Sequence, residues 1–390
     1  MMKKRLLTLL LCTALLLSGC TAMLERGHET VSTHVDYAVT EDDSILRAES
    51  YQGLVNAILY FVNGHRTGGT IRLYNYTGDV EADLANARDE VMYNDPIGAF
   101  SVRTLTYNAT RILTYYEVEL RITYSRTAQE VRTLREVSGL SGVRQELTRL
   151  VEEQKDSTAF LASYFSGDRE LVQQLLSLAC LSAPELSWHH DLNGTAISLY
   201  PETGTRRVIE VKLSLPAGAE EEEKEYAQQL ETAAAALLEA NPPAGESYTV
   251  EELAAIVRAA HGGYDPHGVW EALGALTGEP ATDTAAILAM EYLCQQCGIE
   301  VEPVTGPGVL WLIVATQEGY RHFLPAMLFE PEEGVGWEGV PPEPFRLFTD
   351  QELMELADFG WVWDTALHPA CEDYEAQQAM AGPEAEAEQE

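Results

Sequence analysis

Tyr76-Thr77-Gly78-Asp79-Val80-Glu81 returns 89 residues later as Phe165-Ser166-Gly167-Asp168-Arg169-Glu170, with the same Gly-Asp step in front of a run of helix-forming residues. An aspartate at that place accepts hydrogen bonds from the unpaired first N–H groups of a helix, so Asp79 and Asp168 are predicted caps. Upstream of the first copy, Tyr51, Leu54, Val55, Ile58, Leu59 and Val62 recur at helical spacing, Gly68-Gly69 breaks the pattern, and residues 70–74 read as a strand. Downstream, the helix from Val80 is expected to run to about residue 92, ahead of Asp95-Pro96, with β-rich runs at 101–107 and 112–124. In the second run Tyr116, Val118, Leu120, Ile122 and Tyr124 alternate with Tyr115, Glu117, Glu119, Arg121 and Thr123, as a strand with one buried face requires. Tyr116-Glu117-Val118-Glu119-Leu120 is echoed by Ile209-Glu210-Val211-Lys212-Leu213 at an offset of 93. A cap and an alternating strand also occur in unrelated folds. Two related modules are nevertheless the reading adopted, at residues 49–136 and 137–218. The expected class is α+β: two small α/β modules with mixed or antiparallel sheets, followed by a further α+β domain.

At the amino end Lys3-Lys4-Arg5 precedes an apolar run, residues 6–17, too short to span a bilayer as a helix. This is the pattern of a signal peptide over residues 1–19. Leu17-Ser18-Gly19-Cys20 then resembles the bacterial lipobox, which implies acylation of Cys20 and a lipid-anchored place on the extracytoplasmic face of the membrane. Two or three acyl chains, at about 0.8 kcal/mol per buried methylene, hold a protein there almost permanently. Residues 20–48 are polar and are expected to form a flexible tether.

Without residues 1–19 the chain carries 22 Lys+Arg against 62 Asp+Glu, a formal charge of −40. Such a surface repels nucleic acid and anionic lipid headgroups, and nucleic acid is not expected as a partner. Cys180, Cys294, Cys297 and Cys371 are an even set in a disulfide-permitting compartment, and one bridge, Cys297 to Cys371, is a candidate. Cys294-Gln295-Gln296-Cys297 has no second pair to complete a zinc site. Residues 219–245 read as a charged helix and a linker ending in Asn241-Pro242-Pro243-Ala244-Gly245. Residues 246–373 form a third domain, and 374–390 an acidic tail with too little apolar surface to fold.

The third domain resembles the bacterial transglutaminase-like fold, a relative of papain-type cysteine proteases. The residues that carry the likeness are Leu253 to His261 with Gly262-Gly263-Tyr264-Asp265, then Gly274-Ala275-Leu276, then the run from Ala285 to Gly298-Ile299-Glu300. Val301 to Gly306 follows, then Trp311, Ile313, Val314, Gly319, Tyr320 and His322, and last the stretch from Phe345 through Asp350 to Trp363-Asp364 and His368-Pro369-Ala370-Cys371. The resemblance implies a thiolate at a helix amino end, a histidine to hold its proton and an aspartate to orient the imidazole. It places these at Asp283, or Thr282 after a slip of one, and at Val309 and Leu324. None of the four can do that work, so no catalytic residue is expected and the domain is read as a pseudoenzyme. Asp283, Trp311 and His322 are then the candidate lining of the former cleft, for a peptide, glycan or protein ligand, with no cofactor and no metal. An enzyme acting on wall peptides or proteins through Asp283 or Thr282 beside Trp311 and His322 is the alternative, and an architectural role the third. Other candidates are weaker. His189-His190-Asp191 lies in a loop where adjacent side chains diverge, and Glu330 with Glu332-Glu333 is a short acidic loop without spaced ligands. Cys294 and Cys297 sit at the wrong end of their helix for thiolate formation. Tyr107, Tyr115, Tyr116 and Tyr124 are candidates for a ligand-binding face, though alternating tyrosine also suits a half-exposed strand.

Overall fold

A computed structural model describes residues 42, 44–186, 194–214, 219–306, 309–329, 345–356 and 363–372. Cys20, the histidine pair at 189–190, the acidic loop at 330–333 and the tail from 374 lie outside them. The class is α+β. The chain divides into two compact units, one within Met1–Met92 and Val102–Ser125, the other within Tyr93–Ser101 and Arg126–Glu390.

In the first unit β1 (Ile45–Ala48), α1 (Tyr51–Asn63), β2 (Gly68–Tyr74), α2 (Val80–Asp89), β3 (Val102–Ile112) and β4 (Tyr115–Tyr124) follow one another, α2 ending in a π-helical turn, Glu90–Asn94. The sheet order is β1-β2-β4-β3, with β1 parallel to β2 and the other pairs antiparallel. Ser50 caps α1 and Asp79 caps α2, its carboxylate accepting from Glu81 and Ala82 N–H at 3.1 and 3.2 Å. Leu54, Ile58, Phe61 and Val62 of α1 pack with Leu84 and Ala87 of α2 in an interior shared with Ile71, Val118 and Ile122. Gly68-Gly69 opens β2 instead of merely ending a helix: a Cβ on Gly69 would lie 2.1 Å from the Phe61 ring. Gly69→Ala should therefore cost about 1–3 kcal/mol, as overpacking does, read as a lower urea midpoint at unchanged slope. The candidate tether reaches too far, because residues 45–48 form β1. A four-residue edge strand with Arg47 exposed is too short for its alternation to register.

The second unit begins with α3 (Pro96–Ser101), and continues with α4 (Ala128–Arg132), β5 (Arg135–Ser138), α5 (Gly139–Glu152), β6 (Ser157–Ser163), α6 (Arg169–Leu181), β7 (Ala196–Tyr200) and β8 (Arg206–Lys212). Its first sheet, β5-β6-β8-β7, repeats the order and strand senses of the other unit's sheet. The correspondence runs residue by residue. Leu46 opposite Ile71 recurs as Arg135 opposite Phe160, and the left-handed His65 and Asn75 recur as Gln154 and Tyr164, all at an offset of 89. Gly68 opposite Arg121 recurs as Ser157 opposite Lys212, so β4 maps onto β8 at 91, not at 93. A slip of two leaves every side chain on its own face, which is why an alternating pattern alone could not set the offset. The boundary expected after residue 136 falls inside β5.

The outer faces of the two sheets differ. Thr70, Arg72, Glu117 and Glu119 on the first correspond to Ala159, Leu161, Val208 and Glu210 on the second. Arg72 and Glu117 pair at 3.0 Å, a face finished for water, whereas Leu161 and Val208 are covered by Ile97 and Phe100 of α3 with Val131 and Leu134. Arg126 binds the buried Glu210 at 2.6 Å and lays its guanidinium 4.7 Å from the Phe100 ring, fastening that cover.

Beyond β8, α7 (Ala219–Ala240), α8 (Val250–Ala260), β9 (Tyr264–Val269), α9 (Ala272–Leu276), α10 (Asp283–Gln296), the antiparallel sheet β10 (Val301–Gly306), β11 (Val309–Thr316), β12 (Gly319–Phe323), and α11 (Asp350–Glu355) complete the unit. α10 is buried from Ala285 to Cys294 and packs on β10 and β11. Residues 363–372 reach both edges of this sheet. Arg144 of α5 pairs with Glu302 of β10 at 2.8 Å and donates to Leu367 O, His368 approaches Glu302 at 2.6 Å, and Arg321 of β12 donates to Glu372 O. Burial would raise the Glu302 carboxyl, but the His368 and Arg144 hydrogen bonds outweigh it and hold it below the usual range. The candidate bridge is not formed, since Cys297 and Cys371 are free thiols. Cys297 caps the end of α10 ahead of β10, while Cys371 lies against Asp350 and His322 of β12, at the other edge of the sheet.

Candidate functional site

Thr282 and Asp283 stand at the amino end of α10, where the resemblance expects a nucleophile. Thr282 is the cap: it is buried, its hydroxyl donates to Val269 O at 3.0 Å and accepts from Ala285 N–H at 3.2 Å. Both its donor and an acceptor site are thereby in use. Asp283, half-buried, turns Oδ1 to the N–H of Thr284 at 2.8 Å, and its charge helps to hold the Tyr264 phenol above its ordinary pKa, behind burial as the larger cause. Among the described residues neither is hydrogen-bonded to an imidazole. Val309 and Trp311 share a face of β11 by the two-residue period, and Leu324 is fully buried just past β12.

Trp311 and His322 do come together, but in the interior. Both are fully buried, and the Trp311 indole N–H donates to His322 Nδ1 at 3.1 Å. Indole can only donate, so Nδ1 carries the lone pair and the ring proton sits on Nε2, which donates to Asp350 Oδ1 at 2.8 Å. The other Asp350 oxygen accepts the N–H of Cys371 at 3.1 Å. Trp363 closes the group edge-on to both rings, 6.2 Å from Trp311 and 4.9 Å from His322 between centroids. The expected cleft lined by Asp283, Trp311 and His322 is therefore not formed, since two of the three side chains, Trp311 and His322, have no exposed surface.

Burial lowers the His322 pKa, with Asp350 pulling the other way, and a proton on Nδ1 would point at the Trp311 N–H. The imidazole is held neutral with both nitrogens occupied, so it can neither accept a substrate proton nor offer a lone pair. His322, Asp350 and Cys371 bring one potential metal-ligand atom each to within 4.8 Å of one another. A cation on Nε2 would strip the ring of its only proton while Trp311 still claims Nδ1, an imidazolate that this donor set does not favour. The Cys371 thiol is pushed up to about 12, first by burial and then by Asp350, and is no thiolate source. Cys294 and Cys297, at the carboxyl end of α10, are raised as well, both chiefly by burial.

The partners of His322 had no local signal in the sequence, because Asp350 lies 28 residues on and meets it through a single bridge between His322 and Phe348. The four tyrosines do not share a face. Tyr115 is on the outer side of its sheet, stacked on Tyr74 at 4.8 Å, whereas Tyr124, of the opposite parity, donates its hydroxyl to Arg66 O at 2.8 Å and stacks on His65. No family model matches this chain, and no curated protein matches it.

Proposed function

We propose that this chain is an extracytoplasmic lipoprotein, anchored through an acylated Cys20, whose carboxy-terminal domain is a transglutaminase-like pseudoenzyme acting as a binding or scaffolding module at the cell envelope. The observation that supports the non-catalytic reading is the state of His322, interior, neutral and engaged at both nitrogens, beside a helix start whose threonine hydroxyl is already committed. The lipobox-like Leu17-Ser18-Gly19-Cys20 supports the anchor. Among the described residues no helix is long and apolar enough to cross a membrane.

Purified protein incubated with amine donors and with wall peptides should give no turnover above buffer, and Asp283→Ala should be indistinguishable from the parent. Turnover that disappears in Asp283→Ala would overturn the reading. Retention of a specific wall or protein component on immobilised protein is the expected positive result.

A further inference from the structure

β3 is an edge strand of the first unit's sheet, paired on one side only, with β4. In β4 the Ile122 N–H donates to Thr67 O on the β2 side, so the N–H groups of Tyr115, Glu117, Glu119 and Arg121 point to β3. Their partners Ile112, Thr110, Asn108 and Thr106 bond inward, which turns the N–H and C=O of Leu105, Tyr107, Ala109 and Arg111 to the open side. Among the described residues no hydrogen bond reaches those outward groups. Thr104, Thr106, Asn108, Ala109, Thr110 and Arg111 are exposed, so the strand lies open to solvent along its length.

An unpaired edge is a template for a further strand, and folds ordinarily blunt it by shortness, proline, lysine or a bulge. The duplicated sheet does so at the same position, where β7 has five residues and runs straight into Pro201. β3 has eleven residues and neither proline, lysine nor glycine, and its one irregularity lies at its first residues, between Val102 and Thr104. It also reads as its own mirror about Asn108. On the outer face Thr104, Thr106, Asn108, Thr110 and Ile112 follow one another, so an antiparallel pairing centred on Asn108 sets Thr106 opposite the partner's Thr110 and Thr104 opposite the partner's Ile112. Thr104 and Thr123 already bond across β3 and β4 at 2.6 Å, a contact that Thr106 and Thr110 would repeat between copies. The same register brings every outward residue to another: Leu105 meets the partner's Arg111, and Tyr107 the partner's Ala109. Large thus faces small, and no arginine faces an arginine. A centre on either neighbouring outward residue would leave Leu105 or Arg111 without a strand partner. A foreign strand would have no need of this symmetry. The charge balance agrees, since residues 44–92 and 102–125 hold seven arginines against eight Asp and Glu, and like charge does not oppose an approach through this unit although the whole chain carries −37.

We propose that two copies of this chain dimerise about a two-fold axis at Asn108, joining their β3 edges into one continuous antiparallel sheet. A small contact made chiefly by backbone gives a weak dimer, with a Kd on the order of 10 to 100 μM. The proposal does not depend on the anchoring reading. Sedimentation equilibrium of the chain from Thr21 onward should show monomer and dimer in exchange over that range. Ala109→Pro removes an outward donor and leaves the bonds to β4 in place, a change that an edge strand tolerates. Because it acts twice in each dimer, it should weaken association about tenfold or more at an unchanged melting temperature. Asn108→Cys should cross-link the dimer under mild oxidation: at the axis the residue faces its own copy as a non-hydrogen-bonded pair, with Cα atoms about 4.5 Å apart, within the reach of a disulfide. Thr104→Cys, equally exposed but away from the axis, should cross-link far more slowly. A parent chain that stays monomeric at about 100 μM, its edge left to another protein's strand, would overturn the proposal, as would growth past the dimer into open-ended assemblies. So would a folded Ala109→Pro that associates like the parent, or an Asn108→Cys that cross-links no faster than Thr104→Cys. If Ala109→Pro fails to fold, the two cysteine variants decide alone.

Discussion

Trp311→Ala should lower the unfolding free energy of the second unit by about 4 kcal/mol, within the range found for removing a buried tryptophan. The side chain is wholly buried and edge-on to Trp363, so its loss opens a cavity in the middle of β11. It also leaves His322 Nδ1 without its donor in a dry interior. Urea unfolding followed by far-UV circular dichroism gives the number. A loss below about 1 kcal/mol would mean that the Trp311–His322–Asp350 line does not hold this domain. His322 adds a pH signature. Its folded pKa lies below the ordinary value, so the stability of the neutral ring is complete above about 6.5 and is lost as pH falls from there toward the folded value. Trp311→Phe removes the donor that opposes protonation and should weaken this acid loss.

Glu291→Gln should stabilise the protein by about 2 kcal/mol at pH 8 to 9, the order of the cost of a buried group lacking its partner. Glu291 is fully buried in α10. One carboxyl oxygen accepts from Gln295 Nε2 at 3.3 Å and the other has no partner, while Gln295 also donates to Ser182 O. Burial is the main cause of a pKa well above the usual carboxyl range, and Glu185 and Glu302 add to it. Because the folded pKa is raised, the native state keeps a proton that the unfolded chain releases. The contribution is therefore whole below about pH 4.5 and falls as pH rises toward the folded value, by about 1.4 kcal/mol per unit. Glutamine keeps the shape and cannot ionise, so the alkaline slope of stability against pH should flatten in the variant. Parallel slopes for the two proteins would refute the assignment.

The elements that carry their own pattern were legible. The caps Asp79 and Asp168 and the alternation of β4 follow from neighbours within one turn or one strand, whereas β10 and the helix before Gly298 were expected from the resemblance. The repeat was legible at its caps and blurred at its last strand, because a period of two cannot tell an offset of 91 from 93. What the sequence concealed depends on residues far apart. α3 belongs to a sheet whose last strand ends more than a hundred residues later, and Asp350 and Cys371 meet His322 only once the closing segment lies against the sheet. The expected cleft failed for the same reason. A tryptophan and a histidine on neighbouring strands can line a groove or fill an interior, and Trp363, not either of them, decides which.

That α3 lies in sequence between elements of the first unit but packs on the first sheet of the second has a consequence for the chain as it is synthesised. The first sheet can close once residue 124 has emerged, but Ile97 and Phe100 must then wait in water until β8 is delivered at residue 212. For that interval a nearly finished module carries a bare greasy loop on its side. Folding thus calls for rapid emergence of the next ninety residues, or for a holdase that shields the loop meanwhile, and stalling between residues 125 and 205 is where aggregation should begin.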